Sequence, residues 1–409
     1  MEYDLLITGA KVYLGDGRGW AKADLGVREG KIAAILRDGP GSAVSSQTVS
    51  AEGCMLLPGL VDFHTHVYWG GTPLGINPDK LAPLTGVTTW VDMGSAGAGN
   101  FEGLYHHVLK RSSLNIFCFL HLSYIGLVPV GDTRLRFGEL FDPRLADAEA
   151  AARACAEFPD AIKGLKIRIG MESALTEGMA YLDMALALGE KIGLPLAVHA
   201  TSAPPATAKV LSSLRPGDIF THCFSSSHSS GILDARGRLL PEAREARARG
   251  VLFDLGYGAR SFDSETARLA LDQGFVPDFV SSDLHAYSLG STISGLPDAM
   301  AALCLAGLSL EEAIEGATSR PAGFLGLCGG SPGAAPAAAG RIDLGSPADL
   351  CLLRWSEGEA EFLDGAGRAA RGPRLEVLAA YRGGRRLEYV DDGRKEGRWK
   401  PGLVARKER

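Results

Sequence analysis

Short runs of alternating apolar and polar residues fill positions 1–57, and turn-forming residues separate them. Residues 5–7 precede a Thr-Gly turn, and residues 32–36 precede the turn-forming sequence Arg-Asp-Gly-Pro. This pattern is typical of short antiparallel strands. Residues 350–353 repeat it near the other end of the chain. We therefore expect positions 1–57 to form the N-terminal part of a small β-sandwich domain that is built from both chain termini.

Between the two ends, over residues 58–328, apolar runs of strand length alternate with segments of helical character. An Ala-rich stretch over 144–157 follows an Asp-Pro pair, and Ser309 precedes Glu312 with the spacing of a helix capping box. Strands that alternate with helices indicate a parallel sheet with crossover helices. A region of about 270 residues suits a TIM (β/α)8 barrel. The predicted fold is therefore an α/β protein with a barrel as its main domain.

A low-complexity segment follows the barrel region. Residues 329–340 contain only Gly, Ala, Pro and Ser, which predicts a flexible linker. Residues 341–409 would then supply the C-terminal part of the small β domain and a tail. The tail is basic beyond Asp392, and we interpret it as a solvated end.

The composition excludes several classes of protein. The chain is 46% hydrophobic and 22% charged, as in ordinary globular proteins. A net charge of −6 argues against nucleic acid or an anionic membrane as the partner. No apolar run is long enough to span a bilayer, and the N-terminus lacks the features of a signal peptide. We therefore expect a small-molecule substrate, and the sequence leaves open whether the chain forms a homo-oligomer.

The cysteines indicate a reducing compartment. The chain contains seven, at wide and irregular spacings, and none forms a Cys-x-x-Cys pair. An odd, dispersed set in a chain without a signal peptide is typical of reduced thiols. The sequence therefore predicts a cytoplasmic protein without a cysteine-based zinc site.

Five apolar runs in the barrel region carry side chains that can bind a metal ion. Buried parallel strands are normally apolar throughout, so these polar residues stand out. Residues i and i+2 of a strand point to the same side, so His64 and His66 can both face the barrel interior. The other four runs each carry one candidate, namely Lys166, His199, His222 and Asp283.

Each candidate alone has an ordinary structural explanation. Histidines at strand ends occur as satisfied core residues, a lysine can extend its ammonium group to the strand end, and Asp283 can cap the helix that follows it. Together, however, the candidates would require five coincidences at the carboxyl ends of strands, where barrel enzymes carry their chemistry. The set therefore favours a metal site.

Lys166 adds a second kind of ligand. Burial lowers the pKa of a lysine amine, and the neutral amine can combine with carbon dioxide to form a carbamate. A carbamate is an anionic oxygen ligand that can bridge two metal ions. With four imidazoles and one carboxylate it makes a nitrogen and oxygen set that suits zinc, with manganese, iron and cobalt as alternatives.

The order His-x-His, Lys, His, His, Asp resembles the amidohydrolase superfamily, in its dihydroorotase-like branch with a carbamylated bridging lysine. The likeness covers essentially the whole chain. Five shorter motifs are similar to the amidohydrolase/deacetylase group, at 58–62, 70–75, 86–89, 94–97 and 282–285. The resemblance implies a metal-dependent hydrolase, a deacetylase that cleaves an acyl ester or amide of a small α-substituted carboxylic acid.

The resemblance also implies a role for each candidate ligand. His64, His66 and Asp283 would hold one divalent metal ion, expected to be zinc, and His199 and His222 would hold a second. Carbamylated Lys166 would bridge the two ions. Asp283 would also act as the general base toward a metal-activated water. Lys163 is the rival carbamate site, but it faces outward if Lys166 faces inward.

Four further residues are candidates for substrate binding. Arg168 lies two residues beyond Lys166 on the same strand face and could grip a carboxylate, although an ion pair at the barrel rim is the alternative. His285 lies two residues beyond Asp283 and is either a pocket residue or an ordinary surface or core histidine. Tyr68 replaces the arginine of dihydroorotases, and Tyr257 replaces a histidine that is usual in the deacetylase group.

Two alternatives to a deacetylase stay open. A cyclic amidase of the dihydroorotase or hydantoinase type would share the metal ligands, although Tyr68 counts against dihydroorotase. A metal-binding scaffold subunit without turnover is the alternative from another class. The remaining histidines, His106, His107, His121 and His228, receive no role.

Overall fold

The computed structural model describes residues 2–37, 39, 41, 43–130, 137–225, 230–327 and 339–390. Seven short strands occupy the start of the chain: β1 (Glu2–Thr8), β2 (Lys11–Tyr13), β3 (Trp20–Lys22), β4 (Asp24–Arg28), β5 (Lys31–Leu36), β6 (Val44–Ser50) and β7 (Met55–Pro58). Strand β1 pairs with β4 antiparallel and with β6 parallel. The predicted run of short strands is confirmed, but two of its pairings are parallel, that of β1 with β6 and that of β2 with β7.

A curled parallel sheet follows and forms a TIM-like barrel. Its seven strands are β8 (Leu60–Thr65), β9 (Val87–Gly97), β10 (Asn115–His121), β11 (Ile162–Ile169), β12 (Leu196–Ala200), β13 (Ile219–Thr221) and β14 (Leu252–Asp254). They pair in sequence order from β8 to β14. Strand β9 is buried along its whole length, as expected where helices cover a parallel sheet.

An extended segment after β14 takes the eighth position of the barrel. Isolated parallel bridges link Phe279 to Asp254 and Leu284 to Thr65, on the two open edges of the sheet. The amide of Tyr257 also donates to the Ser281 carbonyl at 3.2 Å. The predicted eighth strand is thus present as a short connection that carries Asp283 between β14 and β8.

Helices follow the barrel strands. They are α1 (Pro78–Thr85), α2 (Phe101–Leu104), α3 (Ala148–Glu157), α4 (Gly178–Ile192), α5 (Thr207–Ser213), α6 (Pro241–Ala248), α7 (Ser264–Asp272), α8 (Leu296–Leu305), α9 (Leu310–Gly316) and α10 (Ser319–Phe324). None of the helices in the described ranges is long and apolar enough to cross a membrane.

Two helix starts test the sequence signals directly. Ser309 caps α9, since its hydroxyl accepts from the Glu312 amide at 3.2 Å and contacts the Glu312 carboxylate at 2.8 Å, which confirms the capping box. The helix expected to begin at residue 144 begins instead at Ala148. Asp147 caps it by accepting from the Ala150 amide at 2.8 Å, and the Asp-Pro pair starts only a single 3-10 turn.

Three strands near the end of the described chain complete the β structure: β15 (Leu350–Leu363), β16 (Ala369–Arg382) and β17 (Arg385–Arg386). Strand β15 pairs antiparallel with β7, so both ends of the chain meet in one sheet, of order β17-β16-β15-β7-β2-β3. A second sheet has the order β5-β4-β1-β6, and side chains from both sheets share one apolar cluster. The sandwich packing and the domain limits stay predictions, and the linker lies outside the described residues except for its last two.

Candidate metal centre

Two histidines on the first barrel strand converge on one carboxylate. The Nε2 atoms of His64 and His66 lie 3.4 Å and 3.2 Å from Oδ1 of Asp283, which arrives from the eighth barrel position. All three side chains are buried. Ligand atoms of His64, His222 and Asp283 also lie within 4.8 Å of one another. The structure therefore brings four of the six predicted metal ligands to one point at the carboxyl ends of the strands.

Hydrogen bonds on the far side of the rings fix which nitrogen faces the centre. Nδ1 of His64 donates to Oδ2 of Asp254 at 2.9 Å, and Nδ1 of His222 donates to the Gly256 carbonyl at 2.7 Å. Nδ1 of His66 shares a hydrogen bond with the Ser95 hydroxyl at 2.9 Å. Metal-binding histidines characteristically use one nitrogen in this way, which leaves Nε2 for the ion.

The centre is built to hold a cation. Nδ1 of His64 donates a hydrogen bond to Asp254, and the pKa of the ring is lowered, first by burial and then by Lys166, so in the neutral ring Nε2 carries a lone pair. That lone pair faces an oxygen of Asp283 at 3.4 Å. Burial raises the pKa of Asp283, and only positive charge beside the carboxylate brings the pKa well below its usual value, so this buried anion needs a cation next to it. Two electron-rich atoms at this distance repel unless a cation lies between them, so these residues fit a divalent metal ion.

Two of the converging residues have strained backbones. His222 has a φ of 59° and Asp283 a φ of 45°, in the left-handed region that side-chain-bearing residues rarely adopt. Such conformations cost about 1–3 kcal/mol each and persist where the surrounding structure enforces them, often at functional sites. The strained backbone at these two strand ends therefore directs the His222 and Asp283 side chains toward the barrel interior.

Lys166 and His199 border the same site. Lys166 is buried, its Nζ has no hydrogen-bond partner among the described residues, and burial first, with Arg168 also contributing, lowers its pKa to about 7. The ring of His199 lies 4.0 Å from that of His222, centroid to centroid. Lys163 points elsewhere, with Nζ over the Phe117 ring. Of the two lysines, Lys166 is therefore the one that lies beside the centre.

Arg168 and His285 lie beside the centre. Nη1 of Arg168 lies 3.2 Å from Oε1 of the buried Glu139, so part of the guanidinium is already ion-paired. Nδ1 of His285 accepts from the Tyr287 and Ser288 amides at 3.2 Å and 3.3 Å, which places its proton on Nε2. Burial lowers the pKa of His285 to about 4, so the ring is a neutral donor. Both residues can offer N–H groups to a ligand.

The two tyrosines that we predicted to bind substrate direct their hydroxyl groups elsewhere. Tyr68 donates to the Asn100 carbonyl at 3.1 Å. Tyr257 is buried, stacks on Phe262 at 4.4 Å and donates to the Leu363 carbonyl at 2.9 Å, on the tip of the β15–β16 hairpin. Tyr257 therefore ties the loop after β14 to the C-terminal hairpin.

Tyr257→Phe separates the two roles of this residue. We expect the variant to lose about 1 kcal/mol of unfolding free energy, because the partly buried hydrogen bond to the Leu363 carbonyl is lost, while KM stays unchanged. Denaturant titration and steady-state kinetics measure the two effects. Tyr124→Phe, at an exposed ring, is the matched control and should change neither value. A rise in KM without loss of stability would restore the substrate-binding interpretation.

The sequence analysis gave no role to several residues of the site. Asp254 accepts a hydrogen bond from His64 and also accepts from Thr221 at 2.6 Å and Ser281 at 2.5 Å. His121 and Glu139 lie buried beside Lys166 and Arg168. Asp254 closes an apolar strand as Asp283 closes another, and this signal could have identified it. No local pattern marks Glu139, and only the fold shows that it lies beside Arg168.

Asp62 also escaped the analysis, although it supports the eighth barrel position. It accepts from the Ser282 amide at 3.0 Å and from the Ser282 hydroxyl, and thus holds the segment that carries Asp283 against β8. Burial raises the pKa of Asp62 to about 7 in spite of these bonds. Its place two residues before His64 was a usable signal, because alternate residues of a strand share a face.

Comparison with known proteins agrees with this geometry. The Amidohydrolase family matches residues 55–359. A deacetylase of Agrobacterium fabrum is 31% identical over 381 residues, which cover 92% of this chain and 89% of the relative. The fold is similar to the crystal structure of a dihydroorotase, with a TM-score of 0.83 and 28% identity over 94% of this chain and 98% of that one.

A second solved structure is equally similar but has a different activity. The crystal structure of an adenine deaminase gives a TM-score of 0.82 with 28% identity over 94% of this chain and 99% of that one. The names of these relatives thus disagree on the substrate while the fold and family agree. The family match over most of the chain confirms the resemblance of the sequence motifs, and the chain belongs to the amidohydrolase family of hydrolases.

Proposed function

We propose that this hydrolase is a two-metal deacetylase that cleaves an acyl amide or ester of a small α-substituted carboxylic acid. The observation that carries the proposal is the convergence of His64, His66 and His222 on Asp283, beside the Lys166 amine, which has no hydrogen-bond partner in the described part of the chain. The deacetylase relative, similar along nearly its whole length, supports deacetylation as the reaction. The same relative and the family favour an enzyme over a metal-binding scaffold.

The residues divide into two ligand groups in this proposal. His64, His66 and Asp283 would hold one ion, His199 and His222 would hold the other, and a carbamate on Lys166 would supply oxygen ligands to both. Zinc is the metal that suits these nitrogen and oxygen donors. When bound, such a pair of ions polarises the substrate carbonyl and lowers the pKa of a water molecule.

Asp283 is positioned to carry the proton. Positive charge around it holds its pKa well below the usual value, so the carboxylate is ionised at neutral pH and can accept a proton and later deliver it to the leaving amine or alkoxide. Gly258 leaves room for this carboxylate, since a Cβ on Gly258 would lie 2.5 Å from Oδ2 of Asp283. The position also has a φ of +60°, which favours glycine.

The substrate carboxylate is assigned to Arg168 and His285. Only Nη1 of Arg168 has a partner among the residues that the structure describes, which leaves the other edge of the guanidinium for a carboxylate. His285 adds a neutral Nε2–H donor on the opposite wall, with its ring 6.1 Å from that of His66. This arrangement would orient an acidic substrate with its acyl group toward Asp283.

Arg168→Met should raise KM by about 10- to 100-fold for substrates with a free carboxylate and have little effect on their methyl esters, because a hydrogen bond to a charged group contributes about 1.5–3 kcal/mol. Initial rates on matched acid and ester pairs measure this. Glu139 would be left buried without its cation, so the substitution is paired with Glu139→Gln. Equal effects on both substrate types would leave Arg168 with only its ion-pair role.

A hydrolysis panel tests the proposed function against its nearest rival. A dihydroorotase of similar fold makes a cyclic amidase the second candidate. N-acetyl and O-acetyl derivatives of small amino and hydroxy acids are compared with dihydroorotate, hydantoins and allantoin, using zinc-reconstituted protein. We expect turnover of the acetylated acids only. Turnover confined to the cyclic amides would reject the deacetylase and retain the cyclic amidase.

A further inference from the structure

Two buried polar nitrogens without a hydrogen-bond partner among the described residues lie beside the candidate metal centre. They are Nε2 of His121 and Nζ of Lys166, and both side chains are almost fully buried. A buried polar group without a partner destabilises a fold by roughly 1–3 kcal/mol, so two in one place call for an explanation. The two residues belong to adjacent barrel strands.

His121 and Lys166 lie side by side. Their Cα atoms are partners in the β10–β11 register, so the two side chains project from the same level of the barrel. Both also pack against Gly94, where an added Cβ would lie 2.5 Å from Cγ of Lys166 and 3.4 Å from Cδ2 of His121. Glycine at this position lets the imidazole and the lysine stem approach each other.

The proton of the His121 ring is located by its hydrogen bonds. Nδ1 accepts from the Ser123 amide at 2.9 Å, so a neutral ring carries its proton on Nε2. The nearest acidic oxygen, Oε1 of Glu139, is 3.8 Å away, which is too far for a hydrogen bond. That oxygen is also already paired with Arg168 at 3.2 Å. Nε2 is therefore a donor that needs an acceptor, and a protonated nitrogen cannot bind a metal ion.

A carbamate on Lys166 would supply that acceptor. The neutral amine attacks the carbon of carbon dioxide, a nitrogen–carbon bond forms, and one carbon–oxygen π pair becomes a lone pair on oxygen. The nitrogen then releases one proton to solvent. A cationic or neutral amine is thereby replaced by an anion with two oxygens, next to the Nε2–H of His121 and the guanidinium of Arg168.

We propose that His121 is a positioning residue that donates its Nε2–H to an oxygen of carbamylated Lys166 and thereby favours the formation and orientation of this bridging group. The inference rests on the proposed two-metal function. A direct role toward substrate fits less well, because His121 is fully buried one level below Arg168, whose side chain is 16% exposed.

Two amide substitutions distinguish the roles of the two ring nitrogens of His121. In His121→Gln the side-chain amide can reach the position of Nε2, whereas in His121→Asn it reaches only that of Nδ1. Metal-depleted full-length protein is reconstituted with zinc over a range of 13C-labelled bicarbonate concentrations. The carbamate is detected by 13C NMR and the bound zinc by elemental analysis. His107→Asn, at an exposed histidine, is the matched control.

We expect His121→Asn to require about tenfold more bicarbonate than the wild type for half-maximal carbamate signal, since it loses a hydrogen bond to an anion. His121→Gln and His107→Asn should stay close to the wild type. An unchanged bicarbonate midpoint in His121→Asn, or equal losses in both His121 variants, would overturn the assignment. A normal carbamate signal without deacetylation would instead contradict only the proposed function.

A measurement on the wild type covers the case in which a variant does not fold. In protein labelled with 15N-histidine, the His121 Nε2–H signal should move downfield when bicarbonate and zinc are added and return when both are removed. The ring signals of the exposed His106 and His107 in the same sample report any general change of the protein. A His121 signal that does not respond while the carbamate signal appears would overturn the proposal.

Discussion

Lys166→Ala is expected to lower kcat/KM by on the order of 10³-fold or more, because it removes the group that joins the two proposed ions and a main source of electrostatic stabilisation in the site. Zinc content should fall together with activity. Elemental analysis and initial rates on an acetylated amino acid measure the two effects. Added formate or acetate should restore part of both, since a free carboxylate can occupy the space of the lost side chain and offer the same pair of oxygens.

Lys163→Ala is the matched control for this prediction. It lies three residues earlier on the same strand, and its Nζ lies over the Phe117 ring and donates to the Pro159 carbonyl at 3.4 Å. We expect near-normal activity and zinc content in this variant, and no response to formate. Retention of more than a tenth of wild-type activity in Lys166→Ala would reject the bridging role. So would an equally severe loss in Lys163→Ala.

The hairpin of β15 and β16 links the terminal strands to the metal centre. Its tip contacts the loop after β14 through the Gly365 amide, which donates to the Phe262 carbonyl at 2.7 Å, and through Asp364, which accepts from the Ser264 hydroxyl at 2.9 Å. The same loop carries the Gly256 carbonyl that orients His222. A change at the hairpin tip can therefore reach His222 through this loop.

Patterns that repeat within one strand or helix were predictable from the sequence. The alternation of strands and helices predicted the barrel, and the spacing of Ser309 and Glu312 predicted the start of α9. The strand-end position of His64 and Asp283 predicted that they meet, because the carboxyl ends of parallel strands share one edge. In each case the signal is local or follows from a general property of the barrel.

Contacts between distant parts of the chain were not predictable in this way. Tyr257 was assigned to the pocket by its place in a motif, but its hydroxyl bonds to Leu363, 106 positions later, and no local pattern marks that partner. His121 ends a strand as the predicted ligands do, yet it was set aside because the family pattern gave it no role. Only the register of β10 with β11 shows that it lies beside Lys166.

Asp283→Asn should reduce kcat by about 10²- to 10⁴-fold, the usual contribution of a positioned general base. The folded-state pKa of Asp283 is well below its ordinary value, so the carboxylate is ionised above that pKa and is lost as a base only when the pH falls through it. Wild-type activity should therefore be level from neutral pH down into the acid range. The residual rate of the variant should instead rise steadily with pH, because hydroxide from solution replaces the missing base.

An asparagine amide is also a weaker metal ligand than a carboxylate. The pH profile therefore distinguishes the role of Asp283 as a base from its role as a ligand. Rates are measured at saturating zinc, and bound zinc is determined at each pH. If the variant binds zinc normally and still shows the rising profile, the carboxylate acts on protons. Asp183→Asn, at an exposed position of α4, is the matched control and should keep the level wild-type profile. A variant that retained the wild-type profile with only its zinc affinity reduced would show that Asp283 is a ligand alone, and His285 would then be the next residue to test as the proton carrier.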